Sequence, residues 1–239
     1  MKLVRYADRP DLREIRVERL SRPTFPEFMH HNQSGARYWD RLYEEHPDFQ
    51  LVLLDGDEPV AELHSLPLAW DGSPGDLPEG WDAAFIRAFE SGRPADALAA
   101  LAISVAPERQ GMHLSTRMIE AMRDAGRAAG LRFLIAPVRP TAKEHYPLIP
   151  IERYMAWRRA DGTHFDPWLR IHERVGGELA AAAPDSMVIE APVADWEEWT
   201  GMAIPDDGDH VVPGMLAPLV VRDGVGRHVE PNVWVVHRI

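Results

Sequence analysis

The chain has 239 residues, and its 26 Lys and Arg against 38 Asp and Glu give a formal net charge of −12 at pH 7. That charge excludes a general affinity for nucleic acid or for an anionic membrane, and the absence of cysteine excludes disulfides, zinc–thiolate sites and thiol catalysis. The length suits one core with an appendage. We also expect a cytoplasmic protein, because no apolar run is long enough to span a bilayer and the N-terminus lacks a signal-peptide core.

The first third of the chain is predicted to contain a hairpin and three helices. Apolar periodicity and turn residues indicate these elements in order: a strand over 2–6, a helix opened by Asp8 and Pro10 and ending near Leu20, a helix over 36–46, strands over 49–54 and 59–70 joined by the turn Asp55–Glu58, and a helix over 81–90. The turn predicts an antiparallel pair of strands.

The middle of the chain is predicted to hold a crossover unit. Its parts are a strand over 97–106, a glycine-containing loop, a helix from Leu114 to Gly130 and a strand over 131–138. In the first strand, Leu101, Ile103 and Val105 are expected to share one face, with small residues on the other. Two strands joined in this way predict a parallel pair in one sheet.

The loop of this unit resembles the core motif of the GNAT superfamily of acyl-CoA-dependent N-acyltransferases, V-x-P-x-x-R/Q-G-x-G-x-G/A. Val105, Pro107, Gln110 and Gly111 match the motif, and His113 and Ser115 stand where glycine or alanine is usual. The resemblance implies that acyl-CoA contacts Ser104, Val105, Arg109, Gln110, Gly111, Met112, His113, Leu114 and Ser115. It also implies that the Val105 N–H stabilises the oxyanion of the reaction.

Such a loop can bind a pyrophosphate for a reason that does not depend on the family. Backbone N–H groups of a sharp loop and of a helix N-terminus converge there, and the helix dipole adds a positive potential. Glycine lets the backbone approach closely and adopt a positive φ. His113 at a glycine position therefore predicts either a less crowded approach or a loop in ordinary dihedrals.

Two residues compete for the acid that would protonate the departing thiolate. The segment Ile171–Gly177 resembles the L-Y-E-K-x-G-F helix of the family, with His172 at the tyrosine position. Tyr146 has only Ala142 at the A-x-x-x-Y spacing and is followed by Pro147, which a helix tolerates poorly. The resemblance therefore favours His172 over Tyr146.

Glu62 and His64 are the candidate base, because the strand over 97–106 contains no carboxylate. They are two residues apart and so share one face of their strand. The alternative for both is a partly exposed polar face on an outer hairpin.

The candidate acceptor site follows the strand over 131–138. Arg139 and Lys143 lie where open α/β sheets bind ligands, and their charges suit a carboxylate or a phosphate, although ordinary surface cations are the alternative. A long insertion over residues 146–168 precedes the last core helix, and its aromatics either wall an acceptor pocket or form the core of the insertion: Tyr154, Trp157, Phe165 and Trp168. No metal is expected, because the adjacent His30 and His31 point apart and no acidic cluster completes a site.

The C-terminal part is predicted to add strands over 186–190, 211–221 and 228–237 and a helix over 193–200. Pro213, Pro218 and Pro231 should confine the last two strands to edges or bulges. Residues 1–190 would form the GNAT-like core, and 191–239 a β-rich extension that completes or covers the same domain. The fold class expected is α+β, with a mixed, largely antiparallel sheet flanked by helices and opened at one parallel pair.

These expectations describe an N-acyltransferase that moves an acyl group, most simply acetyl, from acetyl-CoA to a primary amine in a ternary complex. Its partners would be the acyl-CoA and a small-molecule amine, with no nucleic acid, membrane or metal, and a homodimer stays open. The alternative is a non-catalytic GNAT-fold sensor that binds a coenzyme or another ligand, which His113, Ser115 and the missing strand carboxylate favour. A purely structural protein is a third, weaker interpretation.

Overall fold

One nine-stranded sheet organises the computed structural model, which describes residues 1–239. Its strands are β1 (Lys2–Arg5), β2 (Gln50–Asp55), β3 (Glu58–Leu68), β4 (Ala97–Val105), β5 (Phe133–Val138), β6 (Glu178–Pro192), β7 (Gly208–His210), β8 (Leu219–Arg222) and β9 (Val225–Arg238). The α-helices are α1 (Leu12–Arg16), α2 (Arg22–Thr24), α3 (Gln33–Glu45), α4 (Trp81–Glu90), α5 (Leu114–Ala128), α6 (Ile151–Tyr154), α7 (Pro167–Arg174) and α8 (Val193–Thr200). No helix is long and apolar enough to cross a membrane.

The sheet order is β1-β2-β3-β4-β5-β9-β8-β7, with β6 along the other side of β9. Every neighbouring pair is antiparallel except β4 and β5, which the crossover through α5 makes parallel. That parallel pairing covers only Ala97–Ala99 against Phe133–Ile135. The predicted mixed sheet that opens at one parallel pair is therefore confirmed.

The C-terminal strand β9 is internal, between β5 and β6. Pro231 of β9 interrupts no pairing on this side, because it lies between the two partner strands. β5 pairs with β9 only from Val233 onward, and β8 pairs with β9 only up to His228. On the β6 side the register shifts opposite Pro231, so this proline lies at a bulge. The predicted strand over 211–221 is wrong at its start, since only Leu219–Arg222 forms β8 in that range.

Helices cover both faces of the sheet. On one face α5 packs Met118 and Met122 against Leu98 and Leu134. On the opposite face α3 and α4 share a second core that includes Phe85. Helix α7 and the insertion before it lie on the α5 side, where Leu169 belongs to a third, smaller core. The ends of β4 and β5 are thus the place where a cleft can open between the helices.

Candidate active site

A cleft of about 540 Å³ opens where β4 and β5 part. Its walls come from β4, the loop after β4, the start of α5, β5 and α7. Because β5 pairs with β4 only as far as Ala99, the backbone groups of β4 that face β5 beyond this residue have no strand partner there. A ligand that enters the cleft can therefore bind the free edge of β4.

A bulge at Leu101 interrupts β4 inside this cleft. Ser65 pairs with Ala100 and His64 with Ala102, so Leu101 has no partner on β3. Leu101 joins the core on the α4 side, and its carbonyl accepts a hydrogen bond from Trp81 Nε1 at 2.9 Å, whereas Ile103 packs on the α5 side. The prediction that Leu101 and Ile103 share a face is wrong, because the extra residue reverses the alternation.

The loop between β4 and α5 presents a set of free donors. Gly111 has φ +79° and His113 has φ +60°, so His113 adopts the left-handed conformation and the alternative of ordinary dihedrals is wrong. Five backbone N–H groups at the turn and the first turn of α5 donate no hydrogen bond within the protein: those of Gly111, His113, Leu114, Ser115 and Thr116. A Cβ at Gly111 would meet nothing within 4 Å, so the space beside the turn is open. This arrangement fits a pyrophosphate.

Most of the residues expected to contact the coenzyme line this cleft, and two do not. The lining includes Val105, Arg109, Gln110, Gly111, His113, Leu114 and Ser115. Ser104 is buried beside Glu62 on the neighbouring strand, and Met112 is exposed outside the cleft.

The predicted cations of the cleft are already paired. Arg109 lies 3.0 Å from Asp55, and Arg139 is held by Glu230. Arg174 on α7 lines the cleft, is exposed and has no carboxylate partner. The sequence does not indicate Arg174 as a cleft residue, because only the orientation of α7 brings it there.

His172 lies in the wall of the cleft with 3% of its surface exposed. Its ring meets Trp168 edge-on at 4.5 Å between centroids, and its Nδ1 lies 3.0 Å from Nε2 of His237. Burial, together with the nearby His237, lowers the pKa of His172 to about 3. The imidazole is therefore neutral at physiological pH.

Tyr146 and Tyr154 belong to the aromatic core of the insertion and do not line the cleft. Tyr146 packs edge-on against Trp157 at 4.9 Å. The hydroxyl of Tyr154 donates to Asp166, whose carboxylate also caps the start of α7. Of the two interpretations left open for Tyr154 and its aromatic neighbours, the structure places Tyr154 in the core, where it supports the start of α7, whereas Trp168 lines the cleft.

Lys143 is also outside the cleft. It is 1% exposed, and its Nζ donates to the carbonyl oxygens of Tyr146 and Leu216. Burial lowers its pKa to about 8. The side chain holds the insertion to the C-terminal loop and is not free to bind an acceptor.

Glu62 and His64 are fully buried, so the expected partly exposed polar face is wrong. The N-terminal segment covers Glu62: Arg16 at the end of α1 donates to it at 2.6 Å, and Tyr6, just after β1, donates to it at 2.6 Å. His64 lies 3.1 Å from the same carboxylate. Burial alone would raise the pKa of Glu62, but His64 and Arg16 outweigh it and bring this pKa to about 2. A carboxylate so strongly stabilised in its charged form is a poor base.

A second pocket of about 330 Å³ joins the cleft. The two cavities share lining residues at the β4 bulge: Phe25, Met29, Trp81, Leu101, Ala102 and Met187. The rest of the smaller pocket comes from residues 16–40 and includes Arg16, His30, Trp39 and Asp40. The sequence does not predict this pocket, because nothing local in residues 16–40 indicates that they fold over β4. No group of three His, Asp or Glu side chains in the chain could hold a metal ion.

Comparisons with known proteins agree with this geometry. No family model matches the chain. It is 32% identical, over 98% of its length and 92% of the relative, to the arginine N-acetyltransferase avaD of Aspergillus versicolor.

Solved structures share the fold at low sequence identity. The loading GNATL domain of CurA from Lyngbya majuscula aligns over 99% of this chain and 96% of that chain at 17% identity, with a TM-score of 0.59. The GphF GNAT-like decarboxylase in complex with isobutyryl-CoA aligns over 100% of this chain and 99% of that chain at 15% identity, also with a TM-score of 0.59. The predictions of an N-acetyltransferase activity, of a GNAT-like α+β fold and of an acyl-CoA donor are confirmed. The chain belongs to the GNAT superfamily of acyl-CoA-dependent N-acyltransferases.

Proposed function

We propose that the enzyme transfers an acetyl group from acetyl-CoA to the α-amine of arginine in a ternary complex. The observation that carries this proposal is the 32% identity to an arginine N-acetyltransferase over nearly the whole of both chains. The donor would occupy the cleft between β4 and β5, and arginine would occupy the smaller pocket that joins the cleft at Leu101 and Ala102. Acetyl-CoA supplies an activated thioester, and the cell interior supplies acetyl-CoA, so the proposal includes a cytoplasmic location.

The smaller pocket suits both ends of arginine. Asp40 offers a carboxylate that is 87% exposed and only loosely held by Arg13 at 3.2 Å, and the ring of Trp39 lies beside it in the lining. A guanidinium group binds a carboxylate and stacks on an aromatic face. Arg16 donates to Glu62 through Nε and Nη2, which leaves its Nη1 for the α-carboxylate.

The α-amine is the nitrogen that can react. The guanidinium of arginine stays protonated at any physiological pH, so it has no free electron pair for attack on a thioester. Since Glu62 is a poor base, the reacting form is the fraction of α-amine that has already lost its proton to solvent. The residues beside the bulge then act mainly by holding amine and thioester together, and the free edge of β4, with the Val105 N–H, would stabilise the oxyanion.

The proposed acceptor can be tested by comparing arginine with citrulline as substrates. The two have almost the same shape, but only the side chain of arginine is charged. Asp40→Asn is expected to lower kcat/KM for arginine about tenfold and to leave kcat/KM for citrulline unchanged, because only arginine presents a cation to the lost charge. Glu44→Gln removes a charge from the same helix outside the pocket and should change neither value. Equal use of arginine and citrulline by the unaltered enzyme would contradict the proposed acceptor.

A further inference from the structure

Behind the cleft, three side chains from three different elements form a row. His172 of α7 contacts His237 near the end of β9. Arg123 of α5 donates to the carbonyl oxygens of Val175 at 3.1 Å and Arg238 at 3.4 Å, which lie next to the two histidine segments. The Nε of Arg123 and the Nδ1 of His237 are both buried and have no hydrogen-bond partner.

The charges in this row decide which ring nitrogens carry protons. An arginine Nε always carries its proton and can only donate. A buried N–H on His237 Nδ1 would lack an acceptor, and the positive charge of Arg123 disfavours an added proton on this ring. The favoured proton position on His237 is therefore Nε2, which then donates to Nδ1 of His172. Since Nδ1 of His172 accepts this bond, the proton of a neutral His172 is on Nε2.

We propose that Arg123 and His237 are positioning residues that lock His172 in the tautomer whose Nε2–H serves as a donor to the cleft. The Nε2 atom makes no hydrogen bond within the protein, and it is the ring nitrogen left to face the ligand. Both imidazoles are neutral, because burial lowers the pKa of His172 to about 3 and, with the charge of Arg123, that of His237 to about 4.

Gly177 leaves the space that the contact between His172 and His237 requires. A Cβ at Gly177 would lie 2.7 Å from Cε1 of His237 and 2.9 Å from the carbonyl oxygen of His172. Only glycine lets β6 begin so close to both residues. Gly177 also stands at the phenylalanine position of the family helix, so this departure from the pattern makes room for His237.

A locked neutral tautomer changes the role expected for His172. In the transfer, the amine nitrogen bonds to the acyl carbon, the carbon–sulfur bond breaks, and the proton lost by the amine ends on the sulfur. His172 keeps its own proton and stabilises the negative charge on the departing sulfur through a hydrogen bond. The role of His172 in stabilising the sulfur rests on its proposed place beside the acyl-CoA donor. The assignment of its tautomer does not depend on that place.

The tautomer can be measured directly by long-range ¹H–¹⁵N NMR of the ¹⁵N-histidine-labelled protein without substrate. The chain has 11 histidines, and the signals missing in His172→Phe and His237→Phe assign the two rings. We expect both rings to be neutral and protonated at Nε2 at pH 7. A proton on Nδ1 of His172 would overturn the proposal, whatever the acceptor of the enzyme is.

Kinetics of the His237 variants separate positioning from folding. We expect His237→Phe to lower kcat about tenfold with KM for acetyl-CoA within twofold, and His237→Gln to recover most of kcat, because the glutamine amide can donate to Nδ1 of His172. Full kcat in a folded His237→Phe variant would overturn the proposal, as would a glutamine variant no better than phenylalanine. If no acceptor amine is found, the tautomer measurement still decides the structural claim.

Discussion

Replacing His172 by phenylalanine is expected to lower kcat at least tenfold and to leave the dissociation constant of coenzyme A nearly unchanged. Phenylalanine keeps the packing against Trp168 but removes the donor that faces the cleft. Loss of one donor aimed at developing negative charge typically costs about 10²- to 10³-fold in rate. The measurement is steady-state thiol release together with equilibrium binding of coenzyme A.

The matched control for this variant is Tyr146→Phe. Tyr146 packs in the core of the insertion, so loss of its hydroxyl should leave kcat within about twofold of the unaltered enzyme. The opposite pattern, full kcat in His172→Phe and loss of kcat in Tyr146→Phe, would assign the role to Tyr146 and contradict the present assignment.

Coenzyme binding should be nearly abolished in Gly111→Pro. Gly111 has φ +79°, whereas proline requires a φ near −65°, so the turn that aligns the free donors cannot form. Proline also removes one of the five free N–H groups, and a hydrogen bond to a charged ligand contributes about 1.5–3 kcal/mol. We expect at least a hundredfold loss of affinity for coenzyme A by calorimetry.

Two alanine variants, which both keep the backbone N–H, separate an effect at the cleft from backbone strain. Gly111→Ala and Gly201→Ala both place a side chain at a positive φ with open space around it, so they should destabilise the fold to a similar degree. Only Gly111 borders the cleft, and only its variant should weaken coenzyme binding. Unchanged affinity in a folded Gly111→Pro variant would show that another part of the protein binds the phosphates.

The elements that sequence analysis located well are those whose signals are local. Helices α4 and α8 begin and end at the predicted residues, and a turn at Asp223 and Gly224, both with positive φ, joins β8 to β9. Each has a clear start or stop signal or a turn sequence that requires a positive φ. By contrast, the first residues of β6 were missed, since a run of small residues over 180–183 shows no alternation.

The features that sequence analysis missed depend on contacts between distant segments. Burial of Glu62 comes from Arg16, and the row behind the cleft joins Arg123, His172 and His237. The bulge at Leu101 could not be predicted either, because large and small residues alternate regularly along this part of the sequence. The sequence did predict the loop between β4 and α5, and the structure places His172 in the same cleft as this loop. The environment that sets the chemistry of these residues could not be predicted.

Acetylation of the α-amine of arginine can be measured directly by product analysis after incubation of the enzyme with acetyl-CoA and arginine labelled with ¹⁵N at the α-nitrogen. We expect one amide signal at the labelled nitrogen for each thiol released, together with an unmodified guanidinium. Thiol release at the same rate without arginine, or an acetyl group on any other nitrogen, would contradict the proposed reaction.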